Sequence, residues 1–86
     1  MSRNGLKIII VGAGKIARTI VAQLVDEGHD VTVVDIDSSV VDEFTQACDC
    51  MGVVGNGATY ATLKEAGIET ADLFIAVTAS DELNLL

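Results

Sequence analysis

Short runs of β-branched apolar residues alternate along this chain with segments of helical period. Lys7 to Val11 carries an unbroken apolar run, suited to a strand covered on both faces. From Lys15 to Glu27 apolar residues recur at Ile16, Ile20 and Leu24 and at Ala17, Val21 and Val25, the adjacent rows of one helix face, and Gly28 closes that helix. Val31 to Asp35 is a second β-branched strand, after which Asp37 or Ser38 is placed to cap a helix that buries Val40, Val41, Phe44 and Ala47. Cys50 to Val54 reads as a third strand, Gly55-Asn56-Gly57-Ala58 as a loop, and Thr59 to Ala66 as a short helix. Gly67 fits the left-handed position past that helix, with Ile68 set to touch Leu63. Ala71 to Val77 supplies a fourth strand whose buried part is Leu73 to Val77.

Strand and helix in strict alternation predict an α/β fold: a Rossmann-like, doubly wound parallel sheet with right-handed crossovers and spatial order 3-2-1-4. After the fourth strand, Thr78 to Glu82 has the composition of a helix start, with Ser80 as N-cap, and Leu83, Asn84, Leu85 and Leu86 add about one turn. A doubly wound sheet normally continues with further strands and helices. Residues 1–86 are therefore expected to be the N-terminal part of a larger domain, truncated after the fourth strand, with Leu83, Leu85 and Leu86 seeking burial from the remainder or from a partner. A naturally minimal unit is the alternative. No internal repeat or low-complexity linker interrupts the pattern.

Composition narrows the function classes. A chain of 86 residues, 50% hydrophobic, forms one small domain or part of one, with a modest core. A formal net charge of −8 argues against nucleic acid and against attachment to an anionic membrane. No apolar run reaches the ~18 residues of a membrane span, and Met1 to Gly5 leads into the first strand without a cleavable signal pattern, so a cytoplasmic location without direct membrane insertion is expected. Cys48 and Cys50 stand as C-x-C; two ligands are too few for a structural zinc site, and packing is the favoured reading over a redox role. His29, between helix and strand, reads as a turn residue.

The chemistry concentrates where the first strand meets the first helix. Gly12-Ala13-Gly14-Lys15-Ile16-Ala17 joins them through a G-x-G-x-x-A turn: Gly12 for a sharp bend, Gly14 for close approach of a pyrophosphate, and Ala17 for close packing of helix on strand. Asp35 follows Gly12 by 23 residues at the end of the second strand, where its carboxylate can accept hydrogen bonds from ribose hydroxyls. The same charge repels a 2′-phosphate, and the next residue is Ile36 and not Arg, which favours NAD(H) over NADP(H). Lys15 and Arg18 lie in the first turn of a helix, where the macrodipole disfavours cations. Lys15, alone or with Arg18, is a candidate for holding ligand phosphates; projection into water is the alternative for both.

Taken together, Gly12-Ala13-Gly14-Lys15-Ile16-Ala17, Glu27 to Asp37, Val54-Gly55-Asn56-Gly57-Ala58-Thr59, Leu63 to Ile68 and Ala71 to Asn84 resemble the TrkA family, whose domain is also known as RCK or KTN. The resemblance runs from about Leu6 to Leu86. The first motif is shared with many dehydrogenases; the later ones are more specific. The resemblance implies a cytosolic, nucleotide-binding regulator that forms rings beneath a membrane potassium transporter or channel subunit and is not itself an enzyme. Its cofactor would be NAD(H), or alternatively ATP/ADP as in the Ktr branch. It further implies that Gly12, Ala13, Gly14, Lys15 and Ile16 line the phosphates, that Asp35 and Ile36 meet the adenosine, that Asn56, Gly57 and Ala58 border the adenine, and that Thr78 and Ala79 form the far side of the cleft. The family often carries an acid at the position of Asn56, and Asn also occurs in the Ktr branch, so both nucleotide classes stay open.

Two rival functions share the fold. A cofactor domain of an NAD-dependent dehydrogenase would use the same turn, but no convincing acid–base pair accompanies it within these residues. An oligomerisation module that binds no nucleotide is the other.

Overall fold

The computed structural model describes residues 5–12, 14–57, 59–77 and 83–85, with Lys15 and 83–85 described by their backbone alone. The elements are β1 (Lys7–Val11), α1 (Lys15–Asp26), β2 (Asp30–Asp35), α2 (Ser38–Ala47), β3 (Met51–Val54), α3 (Tyr60–Ala66), a 3-10 turn (Ile68–Thr70), β4 (Leu73–Val77) and β5 (Leu83–Leu85). They form one sheet in the order β3-β2-β1-β4-β5, the first four strands parallel and β5 antiparallel to β4. The expected α/β architecture and the order 3-2-1-4 are present.

Alternation along the strands divides the core between two layers. Ile8 and Ile10 of β1, Val31 and Val33 of β2 and Ile75 of β4 face Ala17 and Val21 of α1 and Phe44 of α2. Ile9 and Val34 face the other way, against Ala66 of α3, with Val11, Val53, Ile68, Ala71 and Phe74 packed around them. Ile10 therefore sits in register between Val33 and Ile75, and Ile9 between Thr32 and Phe74. Burial on both sides explains why β1 is written in isoleucine without polar interruption.

The helix ends follow local chemistry. Asp37 caps α2 by accepting the Ser39 N–H at 2.9 Å, and Thr59 caps α3 by accepting the Thr62 N–H at 3.4 Å. At the end of α1 the N–H groups of Gly28 and His29 donate to the Val25 and Leu24 carbonyls, each at 3.0 Å, the paired bonds of a Schellman motif. Gly67 takes the left-handed conformation expected of it, and its N–H donates to the Leu63 and Lys64 carbonyls.

Two expectations fail. Ala47 is exposed: the inward row of α2 runs through Val41 and Phe44, and the chain leaves the helix as extended backbone at Cys48, which takes the place on the core that Ala47 was expected to fill. The helix expected from Ser80 is replaced, over Leu83–Leu85, by β5, which pairs Leu83 with Val77, Asn84 with Ala76 and Leu85 with Ile75. The open edge of β4 offers backbone partners to Leu83–Leu85, and pairing there takes up the N–H and C=O groups that a helix would have bonded internally. Ser80 itself lies outside the described residues.

The amino ends of the strands are tied across the sheet. Leu6 donates its N–H to Nδ1 of His29 at 2.9 Å and its carbonyl accepts the Asp30 N–H, so His29 is the turn residue it was expected to be. On the other side the Lys7 N–H donates to Oδ2 of Asp72 at 2.8 Å, the Asp72 N–H returns a bond to the Lys7 carbonyl, and Lys7 Nζ donates to the Thr70 hydroxyl at 2.7 Å. Cys48 and Cys50 are free thiols packed on the α1 and α2 side of the core. Burial, followed by the neighbouring Cys48 and Asp49, pushes the Cys50 thiol up to about 11.

Replacing Ile10, wholly buried, by Ala is expected to lower unfolding stability by about 2–5 kcal/mol, read from urea denaturation. The raised Cys50 pKa predicts a second outcome. Iodoacetamide should modify Cys50 slowly at pH 8 and faster as pH rises toward about 11, as followed by mass spectrometry of the Cys48→Ser variant.

Candidate functional site

The carboxyl ends of β1, β2 and β3 gather most of the residues singled out in the sequence. Gly12 leaves β1 with φ +95°, a conformation that L side chains rarely adopt, and donates its N–H to the Val34 carbonyl at 2.8 Å. A Cβ at this position would overlap the Val77 carbonyl at the end of β4. The turn is thus held by β2 on one side and closed by β4 on the other, where adjacent parallel strands send their connections to opposite faces.

Gly14 precedes α1 in extended conformation, and its carbonyl accepts the Arg18 N–H at 2.9 Å. No side chain caps this helix and no acidic residue stands in its first turn, whereas α2 and α3 are both capped by side-chain oxygens. The leading N–H groups of α1 therefore keep their capacity for an external acceptor, at the positive end of the helix dipole. Lys15 and Ile16 open that helix, with Ile16 partly buried.

Arg18 has a partner of its own. Its Nη2 lies 3.0 Å from Oε1 of Glu43 on α2, both side chains being more than half exposed, and its guanidinium sits 5.7 Å from the centroid of the Phe44 ring. Pair and stack together direct Arg18 toward α2. Glu43 stands 25 residues away in the chain, so no local pattern in the sequence reveals the pair.

Asp35 ends β2 half-buried, with Oδ1 accepting the Asp37 N–H at 2.9 Å and its carbonyl accepting the Gly55 N–H at 2.9 Å. Its other carboxylate oxygen retains acceptor capacity. The Ser39 hydroxyl and then its N–H hold the Asp37 carboxyl below the usual aspartate range. Ile36, next to Asp35, is 73% exposed, and Val54, in register with Asp35, is 51% exposed, so the carboxylate has large apolar neighbours open to solvent.

The loop after β3 is drawn onto the same edge. A Cβ on Gly57 would overlap Cγ1 of Val11, so this loop rests directly on the last residue of β1. The Asn56 carbonyl accepts both the N–H and the hydroxyl of Thr59, at 3.0 and 2.9 Å, which ties the loop to the start of α3. Gly12, Gly14, Lys15, Ile16, Asp35, Ile36, Asn56 and Gly57 thus share the carboxyl edge. Ala13, Ala58, Thr78 and Ala79 lie outside the described residues.

A cavity of about 260 Å³ lies at the opposite, amino edge, lined by Val25, Gly28, His29, Asp30, Asp49, Cys50 and Met51. It contains none of the residues assigned to the glycine turn or the ribose. Among the described residues, no group of three or more His, Cys, Asp or Glu is placed to hold a metal ion, and no helix is long and apolar enough to cross a membrane.

Comparison with known proteins agrees with the pattern of motifs. The chain is 37% identical over 79 residues to the Trk system potassium uptake protein TrkA homolog of Methanothermobacter thermautotrophicus, covering 92% of this chain and 37% of that protein. It is 42% identical over 81 residues to the Trk system potassium uptake protein TrkA of Halomonas elongata and 41% identical to that of Haemophilus influenzae, in each case covering 94% of this chain and 18% of the relative. The chain thus spans between about a fifth and two fifths of the length of these relatives. The TrkA-N domain model matches residues 8–86, which include the glycine turn, Asp35 and the loop that rests on Val11. On that match, and with the parallel order 3-2-1-4 present, the chain belongs to the TrkA-N domain family.

Proposed function

We propose that this chain is the nucleotide-binding part of a regulatory subunit of a potassium uptake system, and that it senses NAD(H) or ATP/ADP at the carboxyl edge of its sheet. The observation that carries the reading is the glycine turn at Gly12, seated under β4 and leading into a helix without a side-chain cap beside the Asp35 carboxylate. The names of the Halomonas and Haemophilus relatives supply the link to potassium uptake.

The residues fit an adenine nucleotide in a definite order. Backbone N–H groups from Gly12 through Ile16, with the Lys15 ammonium, would meet the phosphates; the acceptor chemistry of Asp35 suits ribose hydroxyls. Ile36 offers exposed apolar area for a base, and Asn56, Gly57 and Ala58 would border it, with Thr78 and Ala79 across the cleft. Arg18 is assigned no phosphate role, since it is paired with Glu43 and stacked on Phe44. No group in this arrangement is assigned a bond-breaking step, in keeping with sensing.

Sensing requires that a ligand prefer one arrangement of the subunit over another. The proposed site touches the turns after β1, β2 and β3, so nucleotides with different phosphates or a different second half would pull on these turns differently. A homo-oligomer at the cytoplasmic face of a membrane transporter or channel subunit would carry that difference to the pore. We further propose that residues 1–86 are the N-terminal part of the nucleotide-binding domain, whose remainder completes the cleft.

Thermal unfolding with NADH, NAD, ATP, ADP and NADPH in parallel tests the reading. NAD(H) or an adenine nucleotide at about 100 times its Kd should add about 2.7 kcal/mol and raise Tm by several degrees, with NADPH giving less. Absence of a shift with every nucleotide, measured on the full-length protein, overturns the proposal. In the same assay at low salt, Lys15→Ala should weaken binding about fivefold, the scale of one exposed charge contact, while Arg18→Ala leaves it nearly unchanged.

A further inference from the structure

In the turn between β2 and α2, carboxylate acceptors take up the local donors. Asp35 Oδ1 accepts the Asp37 N–H at 2.9 Å. Asp37 Oδ1 accepts the Ser39 N–H at 2.9 Å and the Ser39 hydroxyl at 2.7 Å. Three donors of the turn are therefore engaged by two carboxylates of the same turn. Recognition of a phosphate on the ribose calls for the reverse: free N–H and O–H donors, a helix N-terminus and a cation.

The segment that forms β2, this turn, α2 and β3 supplies no such cation. No Lys or Arg occurs between Arg18 and Lys64, and Arg18 is held at 3.0 Å by Glu43. The Asp37 carboxylate is held charged by the Ser39 hydroxyl and N–H, so a second negative charge stands two residues from Asp35.

We infer that Asp37 is a specificity-determining residue: by engaging both donors of Ser39 and adding its charge to that of Asp35, it makes this turn accept a free ribose 2′-hydroxyl and reject a 2′-phosphate. The inference rests on the nucleotide reading above and extends it, since it assigns the rejection to Asp37 with Ser39 and not to Asp35 alone. Asp35 supplies acceptors for the hydroxyls. Asp37 prevents the donors at the start of α2 from turning toward a phosphate.

Adenosine 5′-monophosphate and adenosine 2′,5′-bisphosphate differ by that one phosphate, so the ratio of their Kd values for the chain isolates the effect whichever full nucleotide is the natural ligand. The wild-type chain is expected to prefer the monophosphate by tenfold or more on the scale of one strong charge-assisted contact, roughly 1.4 kcal/mol. Asp37→Ala frees the Ser39 N–H and hydroxyl and should narrow the ratio about tenfold by the same conversion. Asp37→Asn keeps an acceptor for Ser39 and so preserves the helix cap; it should narrow the ratio by a smaller factor, through loss of charge alone. Circular dichroism of both variants checks that α2 is retained. An unchanged ratio in both variants, with the two affinities falling in parallel, overturns the inference, because loss of a purely structural cap acts on both ligands alike. Failure of the wild-type full-length protein to bind either compound overturns the nucleotide reading itself, and with it the inference.

Discussion

β1 is bonded along its length to β2 and β4, and Ile8, Ile9 and Ile10 are sealed from solvent on both faces. A strand so confined has no freedom in register, because a shift of one residue would exchange the α1 side of the core for the α3 side. The site inherits this rigidity. Gly12 emerges at a fixed height between the Val34 and Val77 carbonyls, and Val11, one residue earlier, fixes the position of Gly57. Positions far apart in the chain are brought to one edge because they are referred to the same strand end.

Electrostatics at that edge is organised by scarcity. The chain has 13 acids and five bases, and the few cations placed near the glycine turn carry unusual weight. Arg18 is drawn away by Glu43 and Phe44, leaving the uncapped backbone N–H groups at the first turn of α1 as the positive pole. The adjacent turn is rich in acceptors. An adenosine phosphate has the same asymmetry, anionic at one end and hydroxyl-bearing in the middle, and the proposed function assigns its two ends to these two turns.

Much of the fold was legible because each element repeats one signal at several levels. The isoleucine run, the rows Ile16/Ile20/Leu24 and Ala17/Val21/Val25, and the glycines past α1 and α3 all point to the same boundaries. Ala47 was misread because periodicity was extended to a residue where the chain was already leaving the helix. The segment after Val77 was misread because Ser80 and the acids beside it describe a good helix start but say nothing of how much helix follows; the edge of β4 then captured Leu83–Leu85. At the site, the bend at Gly12 and the place of Asp35 at the end of β2 were readable because both depend on nearby sequence. The Arg18–Glu43 pair and the contact of Gly57 with Val11 depend on how separate elements meet, and no spacing rule encodes them.

The clasp between Lys7 and Asp72 joins residues 65 apart. Closing so long a loop costs about 1 kcal/mol more entropy than bringing β1 to β2, so β4 is expected to dock after the β1–β2 pair. Until it does, Gly12 has no Val77 carbonyl above it and the glycine turn is open on one side. The phosphate end of the proposed site is consequently closed only once β4 has docked, and a bound nucleotide would act as a latch on that strand.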